Sequence, residues 1–189
     1  MRTGVLGGTF DPIHLGHLAA ARAAMDCAHL DRVLFIPSGV PPHRPAAVAD
    51  PRQRMEMTRL AIGDEKRFEV SDVEVQRSGV SYTIDTLREL RRLHPDDELF
   101  LILGWDAAKL FSTWREPNEV RKLASLIIVT RPGAGAPTTT SDIVCERPTP
   151  DISASALRRA LVRGQSVVHL VPEPVLAYIA KQGIYRDNR

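Results

Sequence analysis

With 189 residues, 43 % of them hydrophobic, and 25 basic against 23 acidic side chains, the chain is long enough to bury one core and too balanced to be disordered. A formal net charge of +2, with no block of like charges and no arginine-rich arm, predicts no nucleic-acid surface, so any anion it binds is expected to be small. The longest apolar runs, such as LFLIL at residues 99–103, are too short for a bilayer and no secretory pattern opens the chain; a cytoplasmic protein with no membrane contact is expected.

Short β-branched or leucine-rich runs recur in chain order as TGVLG, DRVLFIP, RFEVSDVEV, ELFLILG and SLIIVTRPG. Between them fall helical patterns at residues 15–26, 51–62 and 84–93, with a less regular one at 107–123. The second helix opens with Asp50 as N-cap and Pro51 at the first helical position. This alternation reads as βαβ units, and four crossovers imply a mostly parallel sheet. The strands are nearly continuous apolar runs, as expected when helices cover both faces of a doubly wound α/β sheet. After the turn-rich GAGAPTTTS, a short strand DIVCER leads to two amphipathic segments, ISASALRRALVRG and PEPVLAYIAKQGIY, which form a C-terminal helical segment. No internal repeat is visible, and that loop is too short to separate domains, so residues 1–189 are expected to form one domain. Cys27 and Cys145 lie far apart, without a CxxC pair or a histidine at metal-ligand spacing; two reduced thiols and no protein-held metal are expected.

The chemistry concentrates in GVLGGTFDPIHLGH, residues 4–17. A strand ending near Leu6 and a helix starting near Leu15 make residues 7–14 the first βα loop, at the carboxyl edge where open α/β sheets bind ligands. Gly7 and Gly8 let a phosphate approach the backbone, and the following helix turns its free N–H groups and positive dipole end toward the same place. His14 and His17 are three apart, so both imidazoles share one face of the first turn and are suited to stabilise charge growing on a phosphoryl group. Asp11-Pro12 supplies a turn into the helix. Neither GxGxxG nor GxxxxGK[ST] is present, which argues against a dinucleotide cofactor and a P-loop.

GTFDPIHLGH resembles the (T/H)xGH signature of the nucleotidyltransferase superfamily, and ISASALR resembles its ISSTxxR motif. PSGVPPHR (37–44) and SYTIDTLREL (81–90) further resemble the PxxxPPHK and SYTxDTL segments of the nicotinate mononucleotide adenylyltransferases. The likeness extends to GWD, VTRPG and VPEPVLAYIAKQGIY, and so covers essentially the whole chain. It implies a Rossmann-like fold and an enzyme that adenylylates a phosphate-bearing acceptor. By resemblance, Gly7, Gly8, Thr9, Phe10, His14, His17, Gly104, Asp106, Ile152, Ser153, Ser155 and Arg158 bind ATP. Thr9, Phe10, Ser38, His43, Arg44, Tyr82, Thr83, Trp114 and Arg131 are expected to bind the acceptor, and His14, His17 and Arg44 to be catalytic. Ser153 is also a natural helix cap, and Arg158 offers a planar fork to phosphate oxygens. Three positions depart from the pattern: Arg44 replaces lysine, Ser155 replaces threonine, and Trp105 stands where relatives carry a small residue.

The resemblance implies direct in-line attack of the nicotinate mononucleotide phosphate on the α-phosphorus of ATP, with Mg²⁺ held mainly through ATP phosphates. A phosphate nucleophile is already ionised, so alignment and charge stabilisation are expected to carry catalysis without a general base. The partners expected are thus two small molecules, with homo-oligomerisation left open. Two alternatives remain at this stage: an adenylyltransferase of the same fold acting on nicotinamide mononucleotide or phosphopantetheine, and a non-catalytic adenylate-binding module.

Overall fold

The computed structural model describes residues 1–42, 47–130 and 142–186. Six strands, β1 (Arg2–Gly8), β2 (Arg32–Pro37), β3 (Phe68–Val70), β4 (Glu98–Gly104), β5 (Ser125–Thr130) and β6 (Ile143–Glu146), form one sheet. Its order is β3-β2-β1-β4-β5-β6 and every pairing is parallel. The chain winds outward from β1 to β3, then crosses back to β4, so its direction reverses between β1 and β4. Doubly wound sheets open a ligand crevice at that switch point.

The helices are α1 (Leu15–Ala28), α2 (Pro51–Ile62), α3 (Thr83–Leu93), α4 (Trp105–Lys109), α5 (Pro117–Leu123), α6 (Ala154–Val162) and α7 (Glu173–Gln182). The unbroken apolar runs of the strands follow from burial on both faces. Along β4, Phe100 and Ile102 join the core shared with α1, α6 and α7, while Leu99, Leu101 and Leu103 join the opposite core with Ile84, Leu87 and Leu90 of α3 and Val120 of α5. The alanines of α1 let that helix lie close to the sheet. Gly4 does the same within β1, since a Cβ there would meet Leu30 Cδ1 at 2.7 Å and Ile102 Cδ1 at 2.9 Å.

Three sequence expectations need correction. RFEVSDVEV yields a strand only at Phe68–Val70; beyond it Ser71 still donates to the Phe35 carbonyl, but the chain turns and Glu74 is buried. The pattern at 107–123 is three pieces, α4, a 3₁₀ turn at Phe111–Thr113 and α5. Glu116 has φ 52° and Pro117 follows it, and a proline cannot continue a preceding helix. Finally, Cys27 and Cys145 are joined in a disulfide, not left as two thiols. Their separation of 118 residues hides a Cα–Cα distance of 6.0 Å, because α1 crosses the face of β5 and β6.

At the opposite edge from the crevice, Asp97 accepts from Thr3 Oγ1 at 2.7 Å, Arg32 Nη2 at 3.0 Å and the terminal amine of Met1 at 3.2 Å. Among the described residues no helix is long and apolar enough to cross a membrane.

Candidate active site

The carboxyl ends of β1 and β4 deliver the loop from Gly8 to His14 and the Gly104–Asp106 corner to the same edge of the sheet. Gly7 faces open space, whereas a Cβ on Gly8 would strike the Phe10 ring at 2.7 Å. Phe10 has φ 50° and is 2 % exposed; its ring lies edge-on to His17, centroids 5.0 Å apart, and also contacts Phe35. The buried ring supports the loop from beneath, so Phe10 has only its main chain left to meet a ligand.

His14 caps α1 and His17 occupies its third position. The His14 N–H donates to His17 Nδ1 at 3.2 Å, which leaves the His17 proton on Nε2. The two imidazoles stack at 3.7 Å between centroids and 23° between planes. Burial pushes the His14 pKa down to about 4, so this ring is neutral at physiological pH. Its buried Nδ1 has no hydrogen-bond partner, the kind of orphaned polar atom that calls for a ligand or another explanation. Gly16 lets this arrangement close: a Cβ there would lie 3.0 Å from His14 Nδ1 and 3.3 Å from the Pro150 carbonyl. The helix terminus is less open than the sequence suggests. The Leu15 N–H is taken by the Leu170 carbonyl at 2.9 Å and the His17 N–H returns to His14 at 3.0 Å.

The segment after Pro150 brings the second motif to this loop. Ser153 caps α6, accepting from the Ala156 N–H, and its Oγ lies 2.8 Å from Ser155 Oγ. Ile152 packs against the core beneath. Arg158 donates to the Asp11 carbonyl at 2.7 Å and lies 3.5 Å from Asp11 Oδ2. The two motifs, some 140 residues apart, thus touch through Asp11.

Asp11 is a junction that the sequence did not reveal. Its carboxylate accepts from the N–H groups of Val48 and Ala49 at 2.9 and 3.0 Å and from Tyr185 Oη at 2.6 Å. Burial, then the bond to Asp11, raise the Tyr185 pKa and keep the phenol protonated. Arg54 was likewise missed. It is 1 % exposed and donates to the carbonyls of Thr9, Gly39 and Ala49. Its signal lay in helical spacing: Arg54, Met57 and Thr58 share the buried stripe of α2.

In the loop after β2, the Ser38 N–H donates to the Gly8 carbonyl at 2.9 Å, and Ser38 Oγ is buried without a hydrogen-bond partner. The Gly39 N–H donates to Ser81 Oγ at 3.0 Å and Val40 pairs with Val80, which ties this loop to the one preceding α3. Tyr82 caps α3 without a side-chain bond; the Tyr82 ring lies under Arg115 at 4.8 Å. Glu74 accepts from Thr86 Oγ1 at 2.6 Å, and burial raises its pKa against the pull of that bond and of Ser81. Trp114 leans on Phe111 at 5.6 Å and packs against the core under α3. Trp105 is half-buried with Lys109 5.9 Å from its ring, while Asp106 is exposed and paired to Lys109 at 2.7 Å. His43, Arg44 and Arg131 lie outside the described residues.

Comparison with known proteins identifies the family and the fold. Residues 5–160 match the cytidylyltransferase-like family. A Thermus thermophilus protein named "Probable nicotinate-nucleotide adenylyltransferase" is 48 % identical over 187 residues, 98 % of this chain and 100 % of its own. One of the same name from Geobacter metallireducens is 42 % identical over 216 residues, the whole of both chains. The fold is shared with Plasmodium falciparum nicotinic acid mononucleotide adenylyltransferase in its complex with NaAD, at TM-score 0.80 and 16 % identity over 97 % of each chain. The chain therefore belongs to the cytidylyltransferase-like family and, within it, to the nicotinate-nucleotide adenylyltransferases.

Proposed function

We propose that this protein transfers the adenylyl group of ATP to nicotinate mononucleotide, giving nicotinate adenine dinucleotide and pyrophosphate in NAD biosynthesis. The observation that carries this reading is a stacked histidine pair at the switch point of the sheet, in a loop that Arg158 grips at Asp11, in a chain nearly half identical to a protein named for that reaction.

An oxygen of the acceptor 5′-phosphate attacks the α-phosphorus of ATP in line. The bond from that phosphorus to the bridging oxygen breaks, and pyrophosphate leaves with the electron pair. The nucleophile arrives ionised, so the protein aligns the two phosphates and stabilises charge. A neutral His14 and the Nε2–H of His17 act as donors to the α-phosphate. Ser153, Ser155 and Arg158 hold the polyphosphate, joined by the backbone of residues 7–10, while Gly104 and Asp106 border the adenosine. Ser38, His43, Arg44, Tyr82, Thr83, Trp114 and Arg131 receive the acceptor.

Imidazole N–H, hydroxyl and main-chain N–H groups suit phosphate oxygens; the Asp11 carboxylate is already taken by Val48, Ala49 and Tyr185, and Asp106 is turned to solvent beside Lys109. That donor set fits a Mg²⁺ that arrives on the ATP phosphates and is held there by phosphate oxygens and water. When bound it supplies neutralisation of the leaving pyrophosphate.

The test is incubation with ATP and Mg²⁺ beside nicotinate mononucleotide, nicotinamide mononucleotide or 4′-phosphopantetheine, following pyrophosphate and product mass. Preferential formation of the deamido dinucleotide is expected. Turnover only with another acceptor overturns the choice of substrate, and ATP binding without any pyrophosphate release overturns the reaction.

A further inference from the structure

Among the described residues, Arg54 is the largest of the fully buried side chains. A cation removed from water needs compensation, and an apolar side chain of similar volume fills a core position without that need. Burial depresses its pKa, against the pull of Asp11, yet a guanidinium remains charged under any ordinary condition. Its hydrogen bonds go to main-chain carbonyls: Nη1 to Thr9 at 2.7 Å, Nη2 to Gly39 at 3.1 Å and Nε to Ala49 at 3.1 Å.

These carbonyls belong to two loops. Thr9 lies in the loop after β1, with the histidine pair; Gly39 and Ala49 lie in the chain between β2 and α2, next to the orphaned hydroxyl of Ser38. A guanidinium is planar and presents its donors at fixed angles, so bonding both loops at once sets the gap between them. A flexible apolar side chain fills the volume without setting that distance.

We propose that Arg54 is a positioning residue for adenylyl transfer: bonded to the Thr9 and Gly39 carbonyls, its guanidinium fixes the separation between the loop that cradles the ATP phosphates and the loop that presents the acceptor. The assignment rests on the reaction proposed above. In-line attack demands alignment of two bound phosphates, and small misplacements of reacting groups are costly in rate. ATP, held on its own side of the gap, is bound almost independently of this spacing, so Arg54 controls turnover more than ATP affinity.

The test compares wild type with Arg54→Lys and Arg54→Met in thermal melts, in binding of α,β-methylene-ATP with Mg²⁺, and in kcat and KM with nicotinate mononucleotide. Lysine keeps the charge but serves one loop at a time. The expected result is folded variants that bind the analogue within about threefold of wild type. Their kcat per binding-competent molecule falls about tenfold for lysine and about a hundredfold for methionine. A merely structural role lowers the melting temperature and the binding-competent fraction while leaving kcat per competent molecule unchanged; that result overturns the proposal. If the methionine variant does not fold, a folded lysine variant with wild-type kcat overturns it equally. Wild-type protein that releases no pyrophosphate with any acceptor overturns both this assignment and the reaction. An active wild type beside an equally active variant overturns the Arg54 role alone.

Discussion

His14 and His17 were visible in the sequence because two imidazoles three residues apart, beside glycines at a strand end, have few other uses. Their protonation was not visible, because it depends on the solvent each ring loses. The depressed pKa of His14, about 4 against 6.5, has a consequence for stability. Below pH 6.5 the unfolded chain takes up a proton that the folded one refuses, so stability is full above pH 6.5 and is lost as pH falls toward 4, by up to about 3 kcal/mol. Urea unfolding of wild type and His14→Gln from pH 7.5 to 4.5 checks this: the wild type's stability relative to the variant is expected to fall across that range. A difference independent of pH contradicts it. Arg54 and Tyr185 escaped the sequence reading for a different reason. Arginine and tyrosine are commonly placed at surfaces, and the partners that bury them, Thr9, Gly39 and Asp11, are distant in the chain.

The loop following β2 is held through its own main chain, which bonds the side chains of Arg54, Ser81 and Asp11 and the backbone of Gly8 and Ser81. Gly39 fits against the segment before α3 so closely that a Cβ would lie 2.5 Å from the Glu74 carbonyl. Backbone cannot yield as a side-chain tip can, so Gly39→Ala displaces the loop. It is expected to lower the melting temperature by several degrees and to raise KM for nicotinate mononucleotide several-fold with little change in KM for ATP, read from steady-state kinetics. Equal effects on both substrates would contradict a role confined to the acceptor side. Element boundaries were legible where a cap or a proline marks them. The Asp50–Pro51 start of α2 appears as read, with Asp50 and Gln53 forming a reciprocal capping box. The breaks between α4 and α5 were not legible, because the apolar spacing of Phe111, Trp114 and Val120 continues across turns that the left-handed Glu116 and Pro117 impose.

Across the molecule, alternating apolar strands and helices were enough to read the doubly wound architecture, because burial on both faces leaves a continuous apolar signature. The packing of α1 over β6, and with it the Cys27–Cys145 link, needed the three-dimensional path. The two edges of the sheet divide the work: the groups proposed to meet ligand gather at the carboxyl edge, and a salt-bridged network holds the amino edge. There burial alone would raise the pKa of Asp97, but bonds from Thr3, Arg32 and the terminal amine outweigh it and hold the carboxyl at about 2. Its stabilisation is therefore present above the ordinary value of 3.8 and lost as pH falls through about 2, on the order of 2 kcal/mol. Acid titration of wild type and Asp97→Asn in urea is expected to show the two stabilities converging over that interval; parallel curves would contradict the network.

The paired histidines are proposed to act on the reacting phosphate. Steady-state kinetics of His17→Ala with ATP and nicotinate mononucleotide, on protein whose fold is verified by circular dichroism and thermal melting, tests it most directly. The expected result is a kcat lower by about a hundredfold or more, the loss expected for one transition-state donor, in a folded protein. A folded His17→Ala enzyme with undiminished kcat would contradict it.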